Sequence, residues 1–166
     1  FYLYPPLLAQ LLGPLTSADP TTARLVWCAS NYLAVWVGIL CIARILASSW
    51  WGALPSLHRI ALVAFFVFCF EPLYVGIGDG QVSAIVLALL SLCALGALTG
   101  RDWLVGSAIA IAMYVKITPI LLLAAPLAFS RWRAVAWFSA VAVALGCLSL
   151  TLPGGVAAIA DFAGSA

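Results

Sequence analysis

The sequence predicts an all-helical bundle that crosses a membrane several times. Of its 166 residues, 66% are hydrophobic and only 7% charged, whereas an ordinary soluble domain carries about 25% charge. Mean hydropathy is +1.21. Apolar runs approach the ~20 residues that an α-helix needs to cross the hydrocarbon layer, and they are separated by Arg, Gly and Pro. A soluble chain this small exposes too much surface for its volume to hide such a composition. A cytosolic enzyme, a secreted disulfide scaffold, a disordered tail and a nucleic-acid binder are therefore excluded. The net charge of +2 implies no polyanionic partner.

The elements follow in chain order. The opening segment FYLYPPLLAQLLGPL lies within residues 1–20 and is too short to span. Tyr4-Pro5-Pro6 gives it an extended or turn start, and Gly13-Pro14 interrupts its apolar run, so it reads as re-entrant or interfacial. Arg24 and Arg44 bracket a first span, whose Ser30 and Asn31 suit hydrogen bonds between helices. Residues 46–58 form a connector with the interfacial pair Trp50-Trp51. A phenylalanine-rich second span runs from Ile60 to about Val75. The stretch Glu71-Pro72 to Gly80 breaks the pattern with Pro, three Gly and two acids. A third span covers Gln81–Leu98 and ends at Gly100-Arg101-Asp102, where Asp102 is expected to pair locally with Arg101. A final span covers residues 134–152, before Pro153-Gly154-Gly155. All of these belong to one transmembrane fragment, residues 1–166, of a single larger membrane domain.

Residues 103–130 admit two forms. As one helix they would be about 42 Å long, with Lys116 near the centre. Pro119 removes a backbone donor and disfavours helix at Thr118, so the segment is either one kinked helix or a hairpin of two short arms. Basic residues concentrate on the cytoplasmic side of membrane proteins. With the Arg44–Arg59 connector inside, a single crossing leaves three basic residues on each face, and a hairpin leaves five inside and two outside. The charge bias favours the hairpin. Its arms of roughly 20 Å stop short of the ~30 Å core, which sets Lys116 below the outer surface.

Ionisable residues inside a membrane are costly and mark function by default. Lys116 is the foremost candidate: a buried ammonium needs an anion, and a phosphate or carboxylate would serve. The competing reading is an ion pair with Glu71 or Asp79. Glu71 could accept a proton, hold a sugar hydroxyl or solvate a helix end. Asp79 suits the N-terminus of the third span as a cap. Gln81 could bind a sugar hydroxyl or a neighbouring helix. Arg44, Arg59, Arg101, Arg131 and Arg133 read as cytoplasmic anchors. The five cysteines stand singly within apolar runs and there is one histidine, His58, so no metal site is expected. The nucleotide-binding and metalloprotease motifs are missing.

Four landmarks in order, Phe1-x-x-Tyr4-Pro5-Pro6-Leu7 with Gly13-Pro14-Leu15, Gly80-Gln81-Val82-Ser83, Lys116-Ile117-Thr118-Pro119, and Arg131-Trp132-Arg133, give the chain a likeness to a known family. It resembles glycosyltransferase family 87, the polyprenyl-phosphate-mannose-dependent mannosyltransferases, over nearly its whole length. Ser83 departs from that family's usual Asn. The resemblance implies a GT-C type fold in a bacterial plasma membrane, with its active site on the extracytoplasmic face. It implies a polyprenyl-phosphate sugar donor, a glycolipid or glycan acceptor and no cofactor. Lys116 would meet the donor phosphate, Tyr4 would line the sugar site and Gln81 would bind hydroxyls. Such enzymes usually carry the catalytic carboxylate upstream of the YPP segment. The chain opens on Phe1 without a signal-like segment and is read as part of a longer protein, with the base expected before residue 1. A transporter or flippase, also built from broken helices and buried charge, and a non-catalytic scaffold subunit are the rival readings.

Overall fold

The computed structural model describes residues 6–16, 19–46, 55–59, 81–152, 156–157 and 160. All regular structure among them is helical. Tyr4, Glu71, Asp79 and the expected span over residues 60–75 lie outside the described residues.

Helix α1 covers Pro6–Thr16. A proline suits a helix start, because its missing N–H is one that the first turn leaves unpaired anyway. The helix continues through Gly13 and Pro14, where the sequence suggested an interruption. Pro14 sits in the last turn, so its ring disturbs only the end of the helix.

Helix α2, Pro20–Leu46, begins four residues before the expected Arg24. The reason is Asp19, whose carboxylate accepts hydrogen bonds from the amides of Thr21 at 2.8 Å and Thr22 at 3.2 Å, and from the Thr22 hydroxyl. Asp at the N-cap followed by Pro at the first helical position is a strong start signal. The helix buries Asn31, Val35, Gly38 and Cys41, one face at helical spacing. Ser30 and Asn31 bond within their own helix rather than to a neighbour: the Ser30 hydroxyl donates to the Val26 carbonyl and the Asn31 amide to the Trp27 carbonyl. Short polar side chains reach back to the carbonyl one turn earlier.

Helix α3, Ser83–Leu98, buries Ala84, Ala88, Ser91 and Gly96. Val35 packs with Ala84, and a Cβ placed on Gly38 would lie 3.7 Å from the Ala88 backbone. The contacts advance together along both helices, so α2 and α3 are parallel, with small residues allowing close approach. At the end of α3, Gly100 adopts φ +70° and the Arg101 amide donates to the Gly96 carbonyl at 2.8 Å. This is the six-to-one bond of a left-handed helix stop, and it reverses the chain.

Helix α4, Asp102–Val115, is the centre of the bundle and buries seven of its 14 residues. On one side Gly96 meets Leu104 and Val105. On the other side lies the last long helix, here α6, Trp132–Thr151. Val105, Ile109 and Ala134 form the core there, with Cys93 and Phe138 packed against them. At Gly106 a Cβ would fall on the Ala134 carbonyl oxygen and within 2.6 Å of the Phe138 nitrogen. Only hydrogen fits at that position.

Between α4 and α6 the helix breaks. Lys116 is extended, at φ −151° and ψ 133°. Thr118–Leu123 then winds as a 3-10 helix with Pro119 in its first turn, followed by α5, Ala124–Ala128. The break falls two residues before the Thr118 suggested by the sequence. Pro119 opens the new helix, where its missing donor costs nothing, and the discontinuity moves ahead of it. After Ser130, at φ 53°, Arg131 meets Asp102 through Nη2 at 2.5 Å and Nε at 2.8 Å. Asp102 is therefore not paired with Arg101. Its partner lies 29 residues away, so residues 103–130 leave one end of the bundle and return to it. Asp102 with Arg131, Gly106 with Ala134, and Tyr114 with Ala142 set α4 and α6 parallel.

The bundle consequently has two ends. Arg44, Arg101, Arg131 and Arg133 gather at one, called here the arginine end. The starts of α2 and α3, Lys116 and the end of α6 gather at the other, the lysine end. Helices α2 and α6 are long and apolar enough to cross a membrane.

Candidate functional site

The lysine end is assembled from five elements. Helix α4 delivers Lys116: the residue's amide closes the last helical bond, to Ala112 at 2.8 Å, and its extended backbone turns the side chain away from the helix axis. The last carbonyls of α4 favour a cation here. Lys116 is exposed, and among the described residues no carboxylate pairs with it. Two residues earlier, the Tyr114 hydroxyl donates to the Ala142 carbonyl at 2.9 Å. That bond fixes the tip of α4 against α6, and the Lys116 backbone with it.

Gln81 lies at the same end, two residues before α3. It is exposed, and its side-chain oxygen accepts from the Ser83 hydroxyl at 3.4 Å. Helix α1 is held there by a bond between distant parts of the chain: the Ser149 hydroxyl, buried near the end of α6, donates to Gln10 Oε1 at 2.8 Å. Gln10 Nε2 is buried with no hydrogen-bond partner among the described residues. The structure thus brings Lys116 and Gln81 to one end, where Gln81 bonds to Ser83 and not to Lys116. Tyr4, Glu71 and Asp79 lie outside the described residues.

Gln10, Tyr114 and Ser149 escaped the sequence reading. Their signal was a single polar group inside an apolar run, which only the packing of α1 and α4 on α6 turns into a pair. Of the described acids, neither is free for proton transfer. Asp19 caps α2, and its carboxyl is held below the usual range, first by the Thr22 hydroxyl and then by the Thr22 and Thr21 amides. A carboxylate so stabilised is a weak base. Asp102 is engaged with Arg131 at the opposite end.

This arrangement offers an ammonium with no carboxylate partner among the described residues, and amide groups, at the end of an apolar bundle remote from most of the arginines. Such a surface can hold the anionic head and hydroxyls of an amphiphile. A family model described as glycosyltransferase family 87 matches residues 2–165. Neither a curated protein nor a solved structure matches the chain.

Proposed function

The chain belongs to glycosyltransferase family 87, and from that premise we propose that it transfers a sugar, mannose, from a polyprenyl-phosphate donor to a lipid-linked or glycan acceptor. The reaction takes place at the extracytoplasmic face of a plasma membrane, within a multi-pass GT-C type bundle. One observation carries the assignment of roles: Lys116 is an exposed ammonium with no carboxylate partner among the described residues, at the end opposite four arginines. Basic residues favour the cytoplasmic side, which turns the lysine end outward.

In the proposed reaction an acceptor hydroxyl attacks the anomeric carbon. A carboxylate takes the hydroxyl proton as the bond to the sugar forms. The bond from the anomeric carbon to the phosphate oxygen breaks, and its electron pair leaves with the polyprenyl phosphate. Lys116 stabilises the negative charge gathering on that phosphate. Gln81 binds sugar hydroxyls, Tyr4 lines the sugar site, and Glu71 and Asp79 are further substrate-binding residues.

The test is an assay of the full-length protein in membranes with polyprenyl-phosphate-mannose. Lys116→Ala should lower transfer on the order of 100-fold or more, while the protein still elutes as a folded species in size-exclusion chromatography. Lys116→Arg, which keeps the charge, should retain part of the activity. Full activity of Lys116→Ala would remove the residue from the reaction. Movement of the lipid across the membrane without a glycosidic product would replace the transferase with a transporter.

A further inference from the structure

Two arginines open α6, and they face different ways. Arg131 turns inward to Asp102 and to the Ala97 carbonyl at 3.3 Å. Arg133, two positions on and therefore about 200° around the helix, is exposed and has no carboxylate partner among the described residues. It lines an open groove of about 290 Å³ together with Ala136, Trp137 and Ala140. These four positions repeat at i, i+3, i+4 and i+7 and share one face of the helix. The two alanines make the floor, and the half-exposed Trp137 stands as an apolar wall. From Arg133 to Ala140 the groove extends about 10 Å along the helix axis.

We propose that this groove is a binding site for an anionic phospholipid of the cytoplasmic leaflet, with its phosphate on Arg133 and the upper part of one acyl chain over Ala136 and Ala140. The chemistry of the two ends of the groove matches the two ends of that ligand. A guanidinium presents paired donors to phosphate oxygens, and the alanines leave space for methylene groups against the indole. Arginine and tryptophan at the end of a spanning helix occupy the level of the lipid headgroups. Charge selects an acidic lipid over a zwitterionic one. The arginine end holds four arginines against one described carboxylate, and that carboxylate is already paired with Arg131. The site lies at the opposite end of the bundle from Lys116 and does not depend on the sugar donor.

Native mass spectrometry of the purified full-length protein, loaded with equal phosphatidylglycerol and phosphatidylcholine, tests the proposal. The protein should retain phosphatidylglycerol in preference. Arg133→Gln should lower that retention about fivefold, the effect expected of one basic residue near the surface, and leave phosphatidylcholine unchanged. Ala140→Leu, which fills the groove without altering charge, should also lower it. Arg101→Gln removes a charge at the same end outside the groove and should lower it less than Arg133→Gln does. Equal retention of the two lipids, or an equal fall in Arg101→Gln, would overturn the proposal. So would efficient cross-linking between two copies of an Ala140→Cys variant, since the groove would then be a contact between chains.

Discussion

Both carboxylate oxygens of Asp19 are taken up by the first turn of α2, and this determines what that acid does. Its folded pKa lies below the ordinary 3.8, so the contribution of the cap is fully present above the unfolded value and is lost as pH falls through the folded one. Asp19→Ala should therefore melt at a lower temperature than the parent at pH 7. The difference should shrink as pH is taken below about 4, which thermal denaturation followed by circular dichroism would register. The signal for this cap, Asp-Pro-Thr-Thr before an apolar run, was legible in the sequence but was overshadowed by Arg24. Lys116 was legible for a simpler reason: a single cation amid apolar residues has few structural uses. The partner of Asp102 was not legible. Arg101 is adjacent in sequence, but consecutive residues at a helix start diverge, and Arg131 is reached only through the parallel register of α4 and α6.

At the scale of elements, the ends of α3 and α6 fall within two residues of the sequence expectation, because Gly100 and the arginines punctuate the chain. The broken segment is different. Charge bias argued for a return of residues 103–130, whereas in the structure that return is held by Asp102–Arg131 and by the contact of Gly106 with Ala134. Both groups of the ion pair are about one-quarter exposed, so the pair is neither a free surface bridge nor a buried one. Asp102→Ala and Arg131→Ala should each cost roughly 1–3 kcal/mol, measured as unfolding free energy in mixed micelles. The exchanged pair Asp102→Arg with Arg131→Asp should recover part of that loss. A double variant no better than the sum of the singles would mean that the two side chains do not support one another.

For the whole molecule, the two ends differ in charge and in how they are held together. The arginine end contains the tight turn at Gly100 and the closing ion pair. The lysine end draws α1, the start of α3, the tip of α4 and the end of α6 together from across the chain. This end-to-end polarity was legible once the charges were sorted by side. The contacts that gather the lysine end were not, since Gln10 and Ser149 are 139 residues apart. The polarity can be read in cells. With native cysteines replaced, Thr118→Cys should react with an impermeant maleimide from outside, and Ser130→Cys only after the membrane is opened. Labelling of Ser130→Cys in intact cells would mean that residues 103–130 cross once.

Gly106 and Tyr114 turn α4 into a lever. The first is a fulcrum, where two backbones touch with no side chain between them. The second pins the far arm to the Ala142 carbonyl. Lys116 rides beyond the pin, about 15 Å from the fulcrum. A methyl group added at Gly106 would pry the helices apart at the arginine end and swing the ammonium at the other. Residues far from Lys116 can in this way alter where its ammonium sits, and a search for variants of altered activity has reason to begin at the fulcrum.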